Sequence, residues 1–250
     1  MRLIITHFHP KHKTPTLTKT NKHCIVHPTV ENKNLHTENR MEKSENPFDK
    51  AAKEWDDKPS RVDLAMAVAK AVVDMAKPTP ASIVLDFGCG TGTLAAAVAG
   101  GVAKVVAADT SKGMIERLEE KIAEHGTINI HPIHLPNGAE PRFDDLFDLI
   151  VISMTLHHVD DIDALIAALA ATLKPKGKLL VADLMEEDGS FHSDMDVPHK
   201  GFKPETLSEK LDTHGLKTKK TRVIREIDKN NKKYPVFALI AEKHHGGKHV

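Results

Sequence analysis

The sequence has no apolar run near the roughly 18 residues that a bilayer-spanning helix needs, which excludes a transmembrane segment of that kind. Cysteine is almost absent. Cys24 and Cys89 are far apart, and Cys89 lies in a glycine-rich turn where a disulfide would obstruct a ligand. Both read as free thiols in a reducing compartment, so a disulfide scaffold is excluded. Excess charge is lacking as well. With 35 Lys and Arg against 35 Asp and Glu, no global field selects nucleic acid or a membrane surface. Aromatic residues make only 4% of the chain, with a single Trp, while His is abundant at 17. Between residues 46 and 244 neither His-x-x-x-His nor Cys-x-x-Cys spacing occurs; His-x-x-x-His is found only near the two ends, at His23/His27 and His245/His249, and no metal site is expected in the domain.

Charge is unevenly placed despite the balance. Residues 1–40 carry seven Lys and Arg against two Glu, and no acid precedes Glu31. Residues 1–45 lack sustained periodicity and read as a disordered tail or as an extension ahead of Met41. A basic, acid-poor stretch also fits a transit peptide, which would move the expected location from cytoplasm to mitochondrion. Its six irregularly spaced His could also form a metal-binding tail. Leu3-Ile4-Ile5 is too short for a secretory signal core. One domain is expected over 46–245.

What the chain does contain is Ile83-Val84-Leu85-Asp86-Phe87-Gly88-Cys89-Gly90-Thr91-Gly92-Thr93, an apolar run ending in an acid and three alternating glycines. A second apolar run, Ala103 to Ala108, ends in Asp109. Strand, glycine turn, helix and acid-tipped strand make a nucleoside-binding half of an α/β sheet. Glycine lets the backbone approach a ligand without a Cβ in the way. Asp109 is placed to accept from both hydroxyls of a ribose. The turn reads Gly-x-Gly-x-Gly, and the third glycine of the dinucleotide fingerprint would fall at Thr93. This disfavours NAD(P) and an oxidoreductase, whose pyrophosphate sits on the following helix.

Periodicity supplies the rest of the fold. Helical spacing from Val62 to Ala76 stops at Pro78. Strands are expected at 83–87, 103–108, 128–134, 147–153 and 178–183, with Ser111 capping a helix from Lys112 to about Glu124. A helix carries Ile162, Leu165, Ile166, Leu169 and Leu173 on one face, and Pro175-Lys176-Gly177 turns into the next strand. A helix at 204–213 precedes two long strands near 216–227 and 235–242. The expected fold is α/β, a doubly wound, mostly parallel seven-stranded sheet with a C-terminal antiparallel hairpin.

The glycine turn, Ala108-Asp109-Thr110-Ser111-Lys112-Gly113-Met114, Phe147-Asp148-Leu149-Ile150, Leu156-His157-His158-Val159 and Leu173-Lys174-Pro175-Lys176-Gly177 stand in the order of one family. The chain resembles the class I S-adenosylmethionine-dependent methyltransferases of the small-molecule, UbiE-like branch over residues 47–243. The resemblance implies that Asp86, Gly88 and Gly90 line the methionine arm of S-adenosyl-L-methionine and that Asp109 holds the ribose, with Cys89, Gly92 and Thr110 among the cofactor-binding residues. It implies Met114 near the adenine, with plain helix core as the other reading, and Ser153 and Met154, at the carboxyl end of the fourth strand, are expected near the sulfur. Family members often place an acid after the third strand. Here His131-Pro132-Ile133-His134-Leu135-Pro136-Asn137 offers only Asn137 for the adenine amino group. The segment from Phe48 to Trp55 corresponds to a lid over the cofactor in similar enzymes.

The acceptor is expected to be a small molecule. No Asn/Asp-Pro-Pro-aromatic tetrad follows the fourth strand and no basic stripe marks the domain, which disfavours nucleic acid. Methyl transfer is an in-line displacement from a sulfonium, so positioning supplies much of the catalysis. Where the acceptor must lose a proton, His192, His199, His157 and Glu187 are the candidate bases. A non-catalytic or protein-directed S-adenosylmethionine-binding module is the alternative.

Overall fold

The computed structural model describes residues 46–136, 141–193 and 195–244. The expectations for residues 1–45, Cys24 among them, and for Asn137 fall outside these ranges. Seven strands form one sheet: β1 (Ile83–Phe87), β2 (Lys104–Asp109), β3 (Ile130–His134), β4 (Phe147–Ser153), β5 (Leu173–Leu184), β6 (Leu216–Lys229) and β7 (Lys232–Lys243). Their order is β3-β2-β1-β4-β5-β7-β6. Pairing is parallel from β3 to β5, and β7 is antiparallel to both β5 and β6.

The central strands read as continuous apolar runs because both of their faces are covered. Val84, Val105, Leu149 and Leu180 face one layer, packed with Leu64 and Val68 of α2 (Pro59–Ala71), Leu94 and Val98 of α3 (Thr93–Ala99), and Leu118 of α4 (Lys112–His125). Their neighbours Leu85, Val106, Ile150 and Leu179 face the other layer. There they meet Leu165, Ile166 and Leu169 of α5 (Ile162–Thr172) and Leu207 and Leu211 of α6 (Pro204–Thr213). Aliphatic side chains thus build nearly the whole core, as the aromatic shortage requires. Among the described residues no helix joins β3 to β4; Leu135 and Phe143 pack against the second layer there, Phe143 edge-on to Phe147 at 5.5 Å.

Local details depart from the sequence expectations where backbone geometry overrides pattern. Helix α2 starts at Pro59, where the missing amide is harmless at the first helical position. It widens into a π turn over Val72–Ala76 and ends at Lys77 with φ 52°, just ahead of Pro78. Strand β5 begins at Leu173, before the expected turn. Lys176 adopts φ 63°, and the pairing with β4 slips between Phe147 and Leu149, so Pro175-Lys176-Gly177 is a kink within the strand. The final hairpin continues past Asp228, which pairs with Lys233, to a two-residue turn at Asn230-Asn231. Both Asn lie at positive φ, 53° and 58°, the conformation a type I′ turn demands and Asn tolerates.

Candidate functional site

Strand order reverses at β1, whose neighbours β2 and β4 lead away in opposite directions. A crevice therefore opens at the carboxyl ends of β1 and β4. Asp86 lies next to the end of β1 and is 1% exposed. Neither carboxylate oxygen has a hydrogen-bond partner. Burial, and then the charge of Asp109, raise its pKa to about 7, against an opposing pull from the Ala95 amide, which does not reach hydrogen-bond geometry.

The turn above it is fixed by β2. Gly88 and Cys89 donate their amides to Ala108 O at 2.8 and 3.1 Å. Gly90 N donates to Asp109 Oδ2, and Ser111 N to Asp109 Oδ1, both at 2.8 Å. Asp109 thus clamps the glycine turn while each oxygen retains a lone pair. Burial raises its pKa, and the amides of Ser111 and Gly90 oppose that. A Cβ on Gly88 would meet Thr155 Oγ1 at 2.2 Å, so this position is closed to any side chain. Gly90 differs. Its φ is 54°, but a Cβ would find nothing nearer than Met114 Sδ and Trp55 Nε1, both at 3.9 Å. The backbone at Gly90 therefore borders an open cradle.

The other cofactor-side candidates sort by burial. Cys89 is buried, its thiol donates to Gly90 O at 3.4 Å, and burial and the nearby acids push its pKa up. Gly92 sits against Leu118 and starts α3. Met114 is a core residue, 2% exposed, with its sulfur toward Gly90. Thr110 is exposed and accepts from Asn46 Nδ2 at 3.3 Å. Ser153 and Met154 end β4 half-buried, and Met154 takes φ 52°, a strained value for its side chain.

Residues 46–57 cover the turn. They comprise α1 (Pro47–Ala51) and a 3-10 helix (Ala52–Asp57). Asp49 accepts from Ser111 Oγ at 2.6 Å and Gly113 N at 3.0 Å, and the Ser111 bond holds its pKa low. Asp56 accepts from Thr91 Oγ1 (2.8 Å), Thr93 Oγ1 (3.0 Å) and Lys121 Nζ (2.9 Å). Burial raises the pKa of Asp56, but these donors together outweigh it and the net shift is downward. Trp55 lies half-buried under Arg61, whose guanidinium is 3.6 Å from the ring centre, and edge-on to Phe48 at 5.8 Å. Asp49 and Asp56 carry no sequence signal beyond lying ahead of the first long helix.

On the far side of the crevice, His157 and His158 lie in a 3-10 turn after β4, their rings centred 4.1 Å apart. His157 is buried, with Nδ1 2.6 Å from Asp183 Oδ1 at the end of β5. His158 meets Phe48 edge-on at 5.3 Å; burial and then the two neighbouring imidazoles lower its pKa to about 3. His192 reaches back from the loop after β5, its Nε2 3.0 Å from His157 Nε2. His199 braces the same turn: its Nε2 lies 3.0 Å from Val159 O, and its amide donates to His157 O at 3.2 Å. Glu187 faces its own loop. Its Oε2 accepts from Gly189 N and Phe191 N at 2.8 and 3.1 Å. Sequence reasoning missed Asp183, an acid inside an apolar strand whose buried position was the one available signal.

Residues 84–177 match a family described as a methyltransferase domain. An uncharacterized methyltransferase of Schizosaccharomyces pombe is 31% identical over 144 residues, 50% of this chain and 49% of that protein. The ubiquinone/menaquinone biosynthesis C-methyltransferase UbiE of Vibrio campbellii is 34% identical over 115 residues, 44% of each. The chain thus spans about half the length of these curated relatives. Among solved structures, a SAM-dependent methyltransferase of Aquifex aeolicus superposes with a TM-score of 0.60 at 21% identity, covering 78% of this chain and 97% of that one. Magnesium protoporphyrin IX methyltransferase of Synechocystis, solved with bound SAH, gives 0.55 at 17% identity over 74% and 84%. Residues 84–177 thus carry a methyltransferase domain, and the sheet has the fold of solved S-adenosylmethionine-dependent methyltransferases.

Proposed function

We propose that this protein binds S-adenosyl-L-methionine at the glycine turn and transfers its methyl group to a small-molecule acceptor. One observation carries the reading: Asp86 holds two buried oxygens without a donor, beneath the open cradle at Gly90. An orphaned carboxylate is costly unless a ligand completes it. The ammonium of a methionine arm is such a ligand, and the ribose hydroxyls match the lone pairs left on Asp109. When bound, the sulfonium supplies an activated methyl group. Asp86, Gly88 and Gly90 would hold the aminoacyl arm, while Thr110, Met114 and Asn137 belong to the adenine side. Ser153 and Met154 would face the sulfur.

The chain's own part is positioning. Residues 46–57 exclude water above the turn, held by Asp49 and Asp56. An acceptor that must shed a proton would meet His192 and His157 at the ends of β4 and β5. His199 braces their turn, and Glu187 shapes the loop that carries His192. Similarity to a ubiquinone/menaquinone biosynthesis C-methyltransferase supports a small-molecule acceptor.

S-adenosylmethionine and S-adenosylhomocysteine should each raise the melting temperature by mass action, and NAD and NADP should not. A metabolite panel should then yield S-adenosylhomocysteine with one acceptor class. A shift with NAD alone would refute the cofactor reading. Tight cofactor binding with no turnover across the panel would favour a non-catalytic module.

A further inference from the structure

Three imidazoles from two separate segments converge beside the methyl-transfer crevice. His157 and His158 follow β4, and His192 arrives from the loop after β5. Each offers a ring nitrogen, and these atoms all lie within 4.8 Å of one another. The Nε2 atoms of His157 and His192 are 3.0 Å apart, and the rings of His157 and His158 are centred 4.1 Å apart. Nitrogen co-ligands on a tetrahedral ion with bonds of about 2.0–2.1 Å sit about 3.4 Å apart, near the His157–His192 separation.

The surroundings are arranged as a second shell. Asp183 is fully buried, and its Oδ1 accepts from Leu184 N at 2.7 Å. The same oxygen lies 2.6 Å from His157 Nδ1, and the tautomer with its proton on Nδ1, donated to this carboxylate, leaves a lone pair on Nε2, the atom 3.0 Å from His192. A buried carboxylate behind an imidazole is the arrangement that orients metal-bound His and raises its basicity. Aromatic edges fix the two outer rings: Phe48 against His158 at 5.3 Å, and Phe191 against His192 at 4.8 Å.

We propose that His157, His158 and His192 form a binding site for one divalent transition-metal ion of the zinc class, with Asp183 orienting His157 from behind. Three imidazoles suit zinc, copper, nickel or cobalt, and they leave a fourth position for water or an acceptor atom. This site does not depend on the methyl-transfer reading.

The test uses the full chain, prepared without an affinity tag and stripped with chelator. Cobalt(II) serves as the spectroscopic probe, displaced by zinc. One equivalent with the intense visible bands of a tetrahedral ion is expected, and His192→Ala and His158→Ala should each abolish those bands while melting near the parent temperature. Asp183→Asn should keep the bands and weaken affinity about 10- to 100-fold. Absence of tetrahedral bands in the parent protein would overturn the proposal, whatever the variants do. So would identical spectra and stoichiometry in the parent and His192→Ala, which would assign the metal to histidines elsewhere in the chain. None of these readouts requires turnover, so they stand or fall apart from methyl transfer.

Discussion

Asp86 is ionised at a cost in the ligand-free protein, because burial and Asp109 both oppose its charge. The folded pKa near 7 lies above the unfolded value of 3.8, so the folded state holds this proton more tightly. Stability from that source is complete below the unfolded pKa and is lost as pH rises through 7. The ligand-free melting temperature should therefore fall between about pH 4 and about pH 7 and level off above that, more steeply than in Asp86→Asn. Over the same range the shift produced by S-adenosylmethionine should grow, since a cation selects the ionised carboxylate. Scanning fluorimetry across pH reads both slopes, and parallel curves for the two proteins would remove Asp86 from the site. The sequence made Asp86 and Asp109 legible because each ends an apolar run beside glycines. It hid Asp183 and the His192 contact, since residues from separate loops share no spacing.

Residues 46–57 act at the next scale as a cover latched by carboxylates. Asp56 ties three donors from α3, its preceding turn and α4, so Asp56→Ala removes the shared acceptor of Thr91, Thr93 and Lys121, leaving only the Lys121–Thr93 bond at 3.2 Å. Loss of these charge-assisted bonds should cost about 1–3 kcal/mol of stability and weaken cofactor affinity with it. Lys121→Ala should cost less, as a partly exposed ion pair contributes little. Denaturant melts and calorimetry on the two variants would separate the effects, and an equal or larger loss in Lys121→Ala would mean that the ion pair, not the hydroxyls, holds the cover. The alternating strands and helices were legible from periodicity and from proline. The latch was not, because it binds a polar segment through hydrogen bonds that leave no repeating pattern. Strand ends shifted for the same kind of reason: Lys176, Asn230 and Asn231 resolve backbone geometry that hydropathy does not encode.

At the scale of the molecule, the two core layers formed by the described residues begin at Leu64. Deleting residues 1–40 should leave melting temperature and cofactor affinity unchanged, as expected for a sequence without apolar periodicity. A lower melting temperature for the shortened chain would mean that this segment contributes to the domain, and a fusion of residues 1–40 to a reporter would show whether it directs import. The position of β7 has a consequence for the order of events during synthesis. Of the seven described strands it is the last in sequence, yet it lies inside the sheet, between β5 and β6, and Val236 to Ala241 are all buried. While the ribosome is still making the hairpin, the outer edge of β5 has no neighbour and much of the second layer has no lid. The nascent chain must therefore remain open, with an unpaired strand facing solvent, until Lys243 has emerged. A protein of this topology closes its core only when translation has passed its final strand.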